Sequence, residues 1–192
     1  YDARQEQVIA AFLMTMLGFL ADAHTERGYD LLLSRVIPSH TSWLSNMVGS
    51  GRTDGTILIG QSNQTEVIEA VAAFYRPLVA WGAHFEGQTH CSVGSDNHAG
   101  GILATRHLIE RGARRIAFLG DALAPEIADR LSGCQQAMTE AGLADNLQIL
   151  PASLTADVAY PAISAWLKNM DTPPEGIFAA SDVIAMCALR AI

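Results

Sequence analysis

The sequence is short of charge, of cysteine and of any familiar catalytic signature. Only 17% of its residues are charged, and the balance is −8 at neutral pH. A chain of that sign presents no basic face to grip a phosphate backbone. Any DNA contact is therefore expected from a segment outside these 192 residues. The three cysteines, Cys91, Cys134 and Cys187, are far apart, with no C-x-x-C pair. That arithmetic supports neither a disulfide framework nor a zinc site and favours a reducing compartment. No signal peptide is evident. The apolar run from Val8 to Ala23 contains Thr15, Gly18 and Asp22 and stops short of a membrane span. There is no G-x-S-x-G elbow, Walker loop or H-E-x-x-H. Gly49-Ser50-Gly51 precedes a strand rather than opening a helix after one, so it is not a dinucleotide fingerprint. The six histidines (24, 40, 84, 90, 98 and 107) lack ligand spacing. Neither a cofactor, a metal (His84 and His90 beside the linker included) nor an enzyme is expected. Asn63-Gln64-Thr65 matches a glycosylation sequon, read here as chance.

What is present is a hydrophobic content of 49%, enough for a sizeable core. Gln5 to Arg27 read as a helix, with Ile9, Phe12, Leu13, Met16, Leu20 and Ala23 on one face and Gly28 as its stop. Leu31-Leu32-Leu33 reads as a covered strand. A helix is expected from Pro38-Ser39 to about Ser50. Thr56-Ile57-Leu58-Ile59 reads as a strand, and Thr65 to Tyr75 as a helix with Val67, Ile68, Val71 and Phe74 inward. Pro77 to Trp81 is the next strand. The alternation then repeats. Strands are expected at Cys91–Val93, Arg115–Gly120, Gln148–Leu150 and Gly176–Ala180. Helices are expected at Asn97–Arg111, Ile127–Ala141, Asp157–Met170 and from Asp182 onward. Strands alternating with helices of ten or more residues predict βαβ units and parallel sheets. A boundary is expected near residues 82 to 92, where Gly82, Gly87 and polar residues interrupt the pattern. The chain opens on a helix and ends inside one, so both ends are expected to be incomplete.

Several residues stand where such sheets bind ligands, at the carboxyl ends of strands. Asp96 is either a helix N-cap or a bidentate acceptor for sugar hydroxyls. Arg130 is either a solvated first-turn arginine or a fork of donors aimed at a ligand oxygen. Ser181-Asp182 repeats the strand-to-helix turn of Asp96 and is explained by capping or by ligand contact. Trp81 is either a core aromatic or a stacking platform beside the linker.

The words Val93-Gly94-Ser95-Asp96-Asn97, Gly101-Ile102-Leu103-Ala104-Thr105-Arg106-His107-Leu108 and Arg114-Arg115-Ile116-Ala117-Phe118-Leu119-Gly120 resemble the lactose-repressor/galactose-repressor (LacI/GalR) family of bacterial transcription regulators. So do Asp129-Arg130-Leu131-Ser132-Gly133, followed by Gly142, and Gly176-Ile177-Phe178-Ala179-Ala180-Ser181-Asp182. In the first half, Glu26-Arg27-Gly28-Tyr29-Asp30 and Asp54-Gly55-Thr56-Ile57-Leu58 match too. The similarity covers nearly the whole chain.

The resemblance implies an α/β fold of periplasmic-binding-protein type I: two Rossmann-like lobes with parallel sheets, incomplete at both ends, and an effector in the cleft. It places the N-terminal lobe at residues 1–90 and the C-terminal lobe at 91–192. A helix-turn-helix DNA-binding domain is absent from this chain. The implied function is the effector-binding and dimerisation core of a cytoplasmic regulator that senses a small sugar. Its implied partners are that effector, operator DNA through the missing domain, and a second copy of the chain, with no membrane. Asp96, Arg130 and Trp81 match effector-contacting positions of the family, Trp81 as a ring that stacks. Phe12 is either a core aromatic or, by the resemblance, a residue that lines the pocket, and Ser181, before Asp182, stands where many members have Asn. The alternative is a periplasmic sugar-binding protein of a transport system, which shares the lobes but is monomeric.

Overall fold

The computed structural model describes residues 3–36, 40–60 and 64–192, with side chains from residue 14 onward. Its elements, in chain order, are α1 (Ala3–Thr25), α2 (Trp43–Val48), β1 (Thr56–Ile59), α3 (Thr65–Ala72), β2 (Leu78–Trp81) and β3 (Cys91–Val93). There follow α4 (Asn97–Glu110), β4 (Ile116–Leu119), α5 (Pro125–Glu140), β5 (Leu147–Leu150), α6 (Ala156–Lys168), β6 (Gly176–Ala179) and α7 (Asp182–Ala191). The chain divides into two compact units. The first is Leu20–Asp96; the second is Asn97–Ile192 with the stretch up to Phe19.

The first unit holds a parallel sheet in the order β1-β2-β3. The ladder sets Ile59 beside Trp81 and Trp81 beside Val93. Its core gathers Leu44 and Val48 from α2, Ile68, Val71 and Ala72 from α3, and Leu78 from β2. These α3 residues recur at helical spacing, so one stripe of the helix faces the core. Phe74 is the exception: it lies beyond the end of α3, off that stripe, and is 67% exposed, while Tyr75 packs on the cluster instead.

The expected strand at Leu31–Leu33 is not formed. Those residues are irregular and exposed, and no strand among the described residues offers them a ladder. An apolar triplet without a pairing edge cannot satisfy its backbone as a strand. The helix expected from Pro38 begins, among the described residues, only at Trp43, and Pro38, Ser39 and Asn63 lie outside the described residues.

The second unit holds the parallel sheet β5-β4-β6. The central β4 is fully buried along its length, Ile116, Ala117, Phe118 and Leu119, as expected of a parallel strand covered on both faces. Phe118 meets Phe178 of β6 edge to face, with centroids 5.1 Å apart. Around β4 pack Ile127, Cys134 and Met138 of α5, Ala159 and Ile163 of α6, and Ile184 and Cys187 of α7. Gly112 and Gly142 stop α4 and α5 with φ of 98° and 69°. This left-handed region is where glycine carries no Cβ penalty.

Candidate functional site

The order β5-β4-β6 reverses direction around β4. After β5 the chain crosses over to the other side of β4 to form β6. Such a reversal opens a crevice at the carboxyl ends of the strands, the usual ligand position in open α/β sheets. Here those ends are unusually crowded. A Cβ on Gly120 would sit 2.6 Å from Ala180 Cβ and 2.9 Å from Ile127 Cγ2, so only glycine fits. The turn after β4 is fixed by Asp121, whose Oδ1 accepts from Leu123 N at 3.0 Å. Pro125 then opens α5, where its missing N–H costs nothing.

Arg130 lies in the second turn of α5, half-buried. Its Nε donates to Asn97 Oδ1 at 2.9 Å, and its Nη1 donates to the Ala180 carbonyl at the end of β6. Asn97 is the first residue of α4 and is only 6% exposed. The two helices meet without intervening side chains. A Cβ on Gly101 would overlap the Arg130 carbonyl, and one on Gly133 would overlap that of His98. This backbone contact brings Asn97 within reach of Arg130. Arg130 Nη2 makes no hydrogen bond to a described residue. A half-buried guanidinium with donors to spare suits a planar or polyhydroxyl acceptor.

Ser181 caps α7. Its backbone is extended and its Oγ accepts from Ile184 N at 3.3 Å. Asp182 follows as an exposed first-turn acid, favourable at a helix N-terminus. Arg130, Ser181 and Asp182 thus all stand around the carboxyl ends of β4 and β6 in the second unit.

Trp81 and Asp96 belong to the first unit. Trp81 ends β2, half-buried, and its carbonyl accepts from Gly60 N at 3.0 Å. Just beyond, Gly82 N donates to Val93 O at 3.0 Å, and a Cβ on Gly94 would overlap the Gly82 carbonyl, so the ends of β2 and β3 touch through backbone. Asp96 is exposed, immediately before α4. Phe12 is on α1, and its side chain lies outside the described residues.

The residue that sequence reasoning passed over is Asn97. It stands inside the quoted word Val93–Asn97, but nothing in the sequence ties it to an arginine 33 positions on. The tie is made by the Gly101 and Gly133 contact, a property of helix packing rather than of any motif.

Two other features are separate. A concavity of about 340 Å³ is lined by Leu167, Lys168, Pro173, Pro174, Ile177 and Ile192. It borders the amino end of β6, opposite the edge where these sheets take ligands. Of the two linker histidines, His90 is bonded through Nδ1 to Glu69 Oε1 at 2.5 Å, and His84 Nδ1 lies 3.4 Å from Ser92 Oγ. Among the described residues no group of three or more His, Cys, Asp or Glu is placed to hold a metal ion, and no helix is long and apolar enough to cross a membrane.

Two parallel sheets, one with its order reversed around a buried central strand, define a periplasmic-binding-protein-like chain. The family model for the periplasmic binding protein-like domain matches residues 105–192. The PurR HTH-type transcriptional repressor of Salmonella paratyphi B is 32% identical over 177 residues, 86% of this chain and 50% of the repressor. The crystal structure of a LacI transcriptional regulator from a Rhodococcus species superposes with a TM-score of 0.78 at 30% identity, covering 91% of this chain and 65% of that one. A LacI-family regulator from Enterococcus faecium, solved with bound ribose, gives 0.76 at 25% identity, covering 94% and 66%. The chain is a homologue of the LacI/GalR family regulators, and the resemblance carried by its sequence words holds. It spans about half the length of the curated relatives it matches.

Proposed function

We propose that this chain is the effector-binding and dimerisation core of a cytoplasmic LacI-family transcriptional regulator, and that its effector is a small sugar. The observation that carries the reading is Arg130, held by Asn97 and the Ala180 carbonyl at the reversal of the second sheet with Nη2 still open. Sugar hydroxyls and ring oxygens are acceptors for such a fork. Asp182 supplies a carboxylate for hydroxyl donors and Ser181 keeps the turn of α7 in place. Asp96, Trp81 and Phe12 are further proposed contacts, on the strength of the family positions they match. The ribose-bound Enterococcus faecium relative supports the sugar class. The repressor relatives favour regulation over transport. The role is binding rather than catalysis.

The mechanism is a population shift. A sugar that binds one arrangement of the core more tightly than the other moves the equilibrium towards it, and operator-binding heads carried elsewhere in the protein read the change. A ligand with equal affinity for both arrangements moves nothing.

The test is a thermal-shift screen with ribose, cellobiose and, as control, adenine. At a hundredfold excess over Kd a bound sugar adds about 2.7 kcal/mol, or about 5–10 °C for a chain of this size. Arg130→Ala and Asp96→Ala are expected to abolish the rise. An undiminished rise in both variants rejects the site, and a rise with adenine alone rejects the sugar.

A further inference from the structure

From the geometry around Arg130 we infer that Asn97 is a positioning residue: it sets the angle at which Arg130 presents its open edge to an acceptor-bearing ligand. The inference rests on the functional reading above for the ligand, and on the hydrogen bonds alone for the positioning.

A guanidinium is planar, with five N–H donors in a fixed fork. Two bonds in that plane, on different nitrogens, fix its rotation. Arg130 has both: Nε to Asn97 Oδ1 at 2.9 Å, and Nη1 to the Ala180 carbonyl. The partners come from different elements, the start of α4 and the end of β6. Either bond alone would leave the plane free to swing about it. Nη2, which neither partner touches, is the edge left for a ligand. Asn97 is suited to this work because it is itself buried, at 6% exposure, and so does not rotate in water. The Gly101 and Gly133 contact holds α4 and α5 at a fixed spacing, and with it the reach between the two side chains. The free energy of ordering Arg130 is thereby spent in folding, before any ligand arrives, which is the usual source of preorganised affinity. Asn97 is also the first residue of the second unit, directly after the chain leaves the first at Asp96. Arg130 is thus bonded to the point where the chain enters its unit.

The experiment follows the Arg130 Nε–H signal in ¹⁵N-labelled protein, assigned by its loss in Arg130→Lys, alongside ribose titrations of the same proteins. In the wild type the signal should exchange slowly and stand apart from those of exposed arginines. Asn97→Ala should move it to the exposed-arginine position and weaken ribose binding about ten- to hundredfold. Asn97→Asp, which keeps the acceptor, should restore both. Added to Arg130→Lys, which keeps the cation without the fork, Asn97→Ala should weaken ribose binding no further, since the two act as one. An unmoved signal in Asn97→Ala, or additive losses in the double variant, overturns the positioning. If Asn97→Ala fails to fold, Asn97→Asp decides the matter: a signal at the exposed position there overturns it as well. A wild type with an ordered signal that binds neither ribose nor cellobiose contradicts the functional reading and the ligand half of this inference, while the clamp itself stands.

Discussion

Among the described residues the two sheets have the same number of strands and the same parallel sense, yet they are stabilised differently and are not equally suited to hold a ligand. In the second unit the strand order reverses around β4, and every side chain of β4 is buried. In the first unit the described strands run in sequence order, without a reversal. Ile57 of β1 is 38% exposed and Val93 of β3 is 58% exposed. The first unit supplements a smaller apolar core with a polar clamp. Glu69 of α3 accepts from the Thr89 backbone N–H at 2.9 Å and the Thr89 hydroxyl at 2.6 Å, and it bonds the buried His90 at 2.5 Å. Gln88 ties the same segment to itself, donating to the His90 carbonyl and to Ser92 Oγ. An apolar core can be read as a pattern in sequence and tolerates some sliding. A clamp of this kind depends on single atoms and on the charge of one carboxylate.

The largest effect separating the units should come from the two sheets. Phe118→Ala empties a fully buried aromatic site beside Phe178 and is expected to cost about 3–5 kcal/mol. Ile57→Ala, on a partly wet strand, should cost about 1 kcal/mol. Because the units need not open together, hydrogen exchange read strand by strand is the suitable measurement. Equal losses at the two sites would end the distinction between a deep and a shallow sheet.

The clamp gives the next effect. Burial pushes the Glu69 carboxyl up, but hydrogen bonds from Thr89 and His90 outweigh it and hold the group below its ordinary range. A depressed folded value means stability that is full above the unfolded carboxylate pKa and is lost as pH falls through the folded one. Glu69→Gln should therefore lower stability at neutral pH by about 1–2 kcal/mol. In denaturant titrations the gap between wild type and variant should close as pH drops below about 4. A gap that persists unchanged into acid would mean that shape, not charge, holds the segment.

Much of the fold was readable because parallel strands and their helices leave strong periodic signals. β4 reads directly from Ile116–Leu119, and the stops of α4 and α5 from Gly112 and Gly142. The misreadings have one cause. Leu31–Leu33 and Phe74 are apolar, but a strand needs a neighbouring edge and a helix face needs its register to continue, and a local pattern reports neither. Of the candidate site residues, Asp96 and Ser181 stand just past strand ends, whereas Arg130 lies in the second turn of α5 and reaches back to the end of β6 through the Ala180 carbonyl. The partner of Arg130 was not legible. Asn97 meets it only because two glycines let α4 and α5 touch, and contact across helices has no local signature. The Glu69–His90 clamp was missed for the same reason, since its partners are 21 residues apart.

The smallest effect is the most useful control, because it sets hydrogen bonds of similar length on partners that are both exposed. On the second unit Arg106 Nη2 donates to Glu140 Oε2 at 2.7 Å, while Gln136 Nε2 donates to its other oxygen at 2.8 Å. These bonds hold the Glu140 carboxyl below its ordinary range, Gln136 first and Arg106 second. By distance the pair looks as strong as Glu69 with His90. Both Arg106 and Glu140 are exposed, however, so water and salt screen the attraction and ordering two long side chains offsets the rest. Arg106→Ala is expected to leave the denaturation midpoint within error at physiological salt, with a small loss emerging only at low ionic strength. If it matched Glu69→Gln, bond length rather than burial would rank these contacts, and the first unit would have no special dependence on its clamp. A null result at Arg106 beside a clear loss at Glu69 makes the half-buried carboxylate on the buried His90 the specific weak point of the first unit.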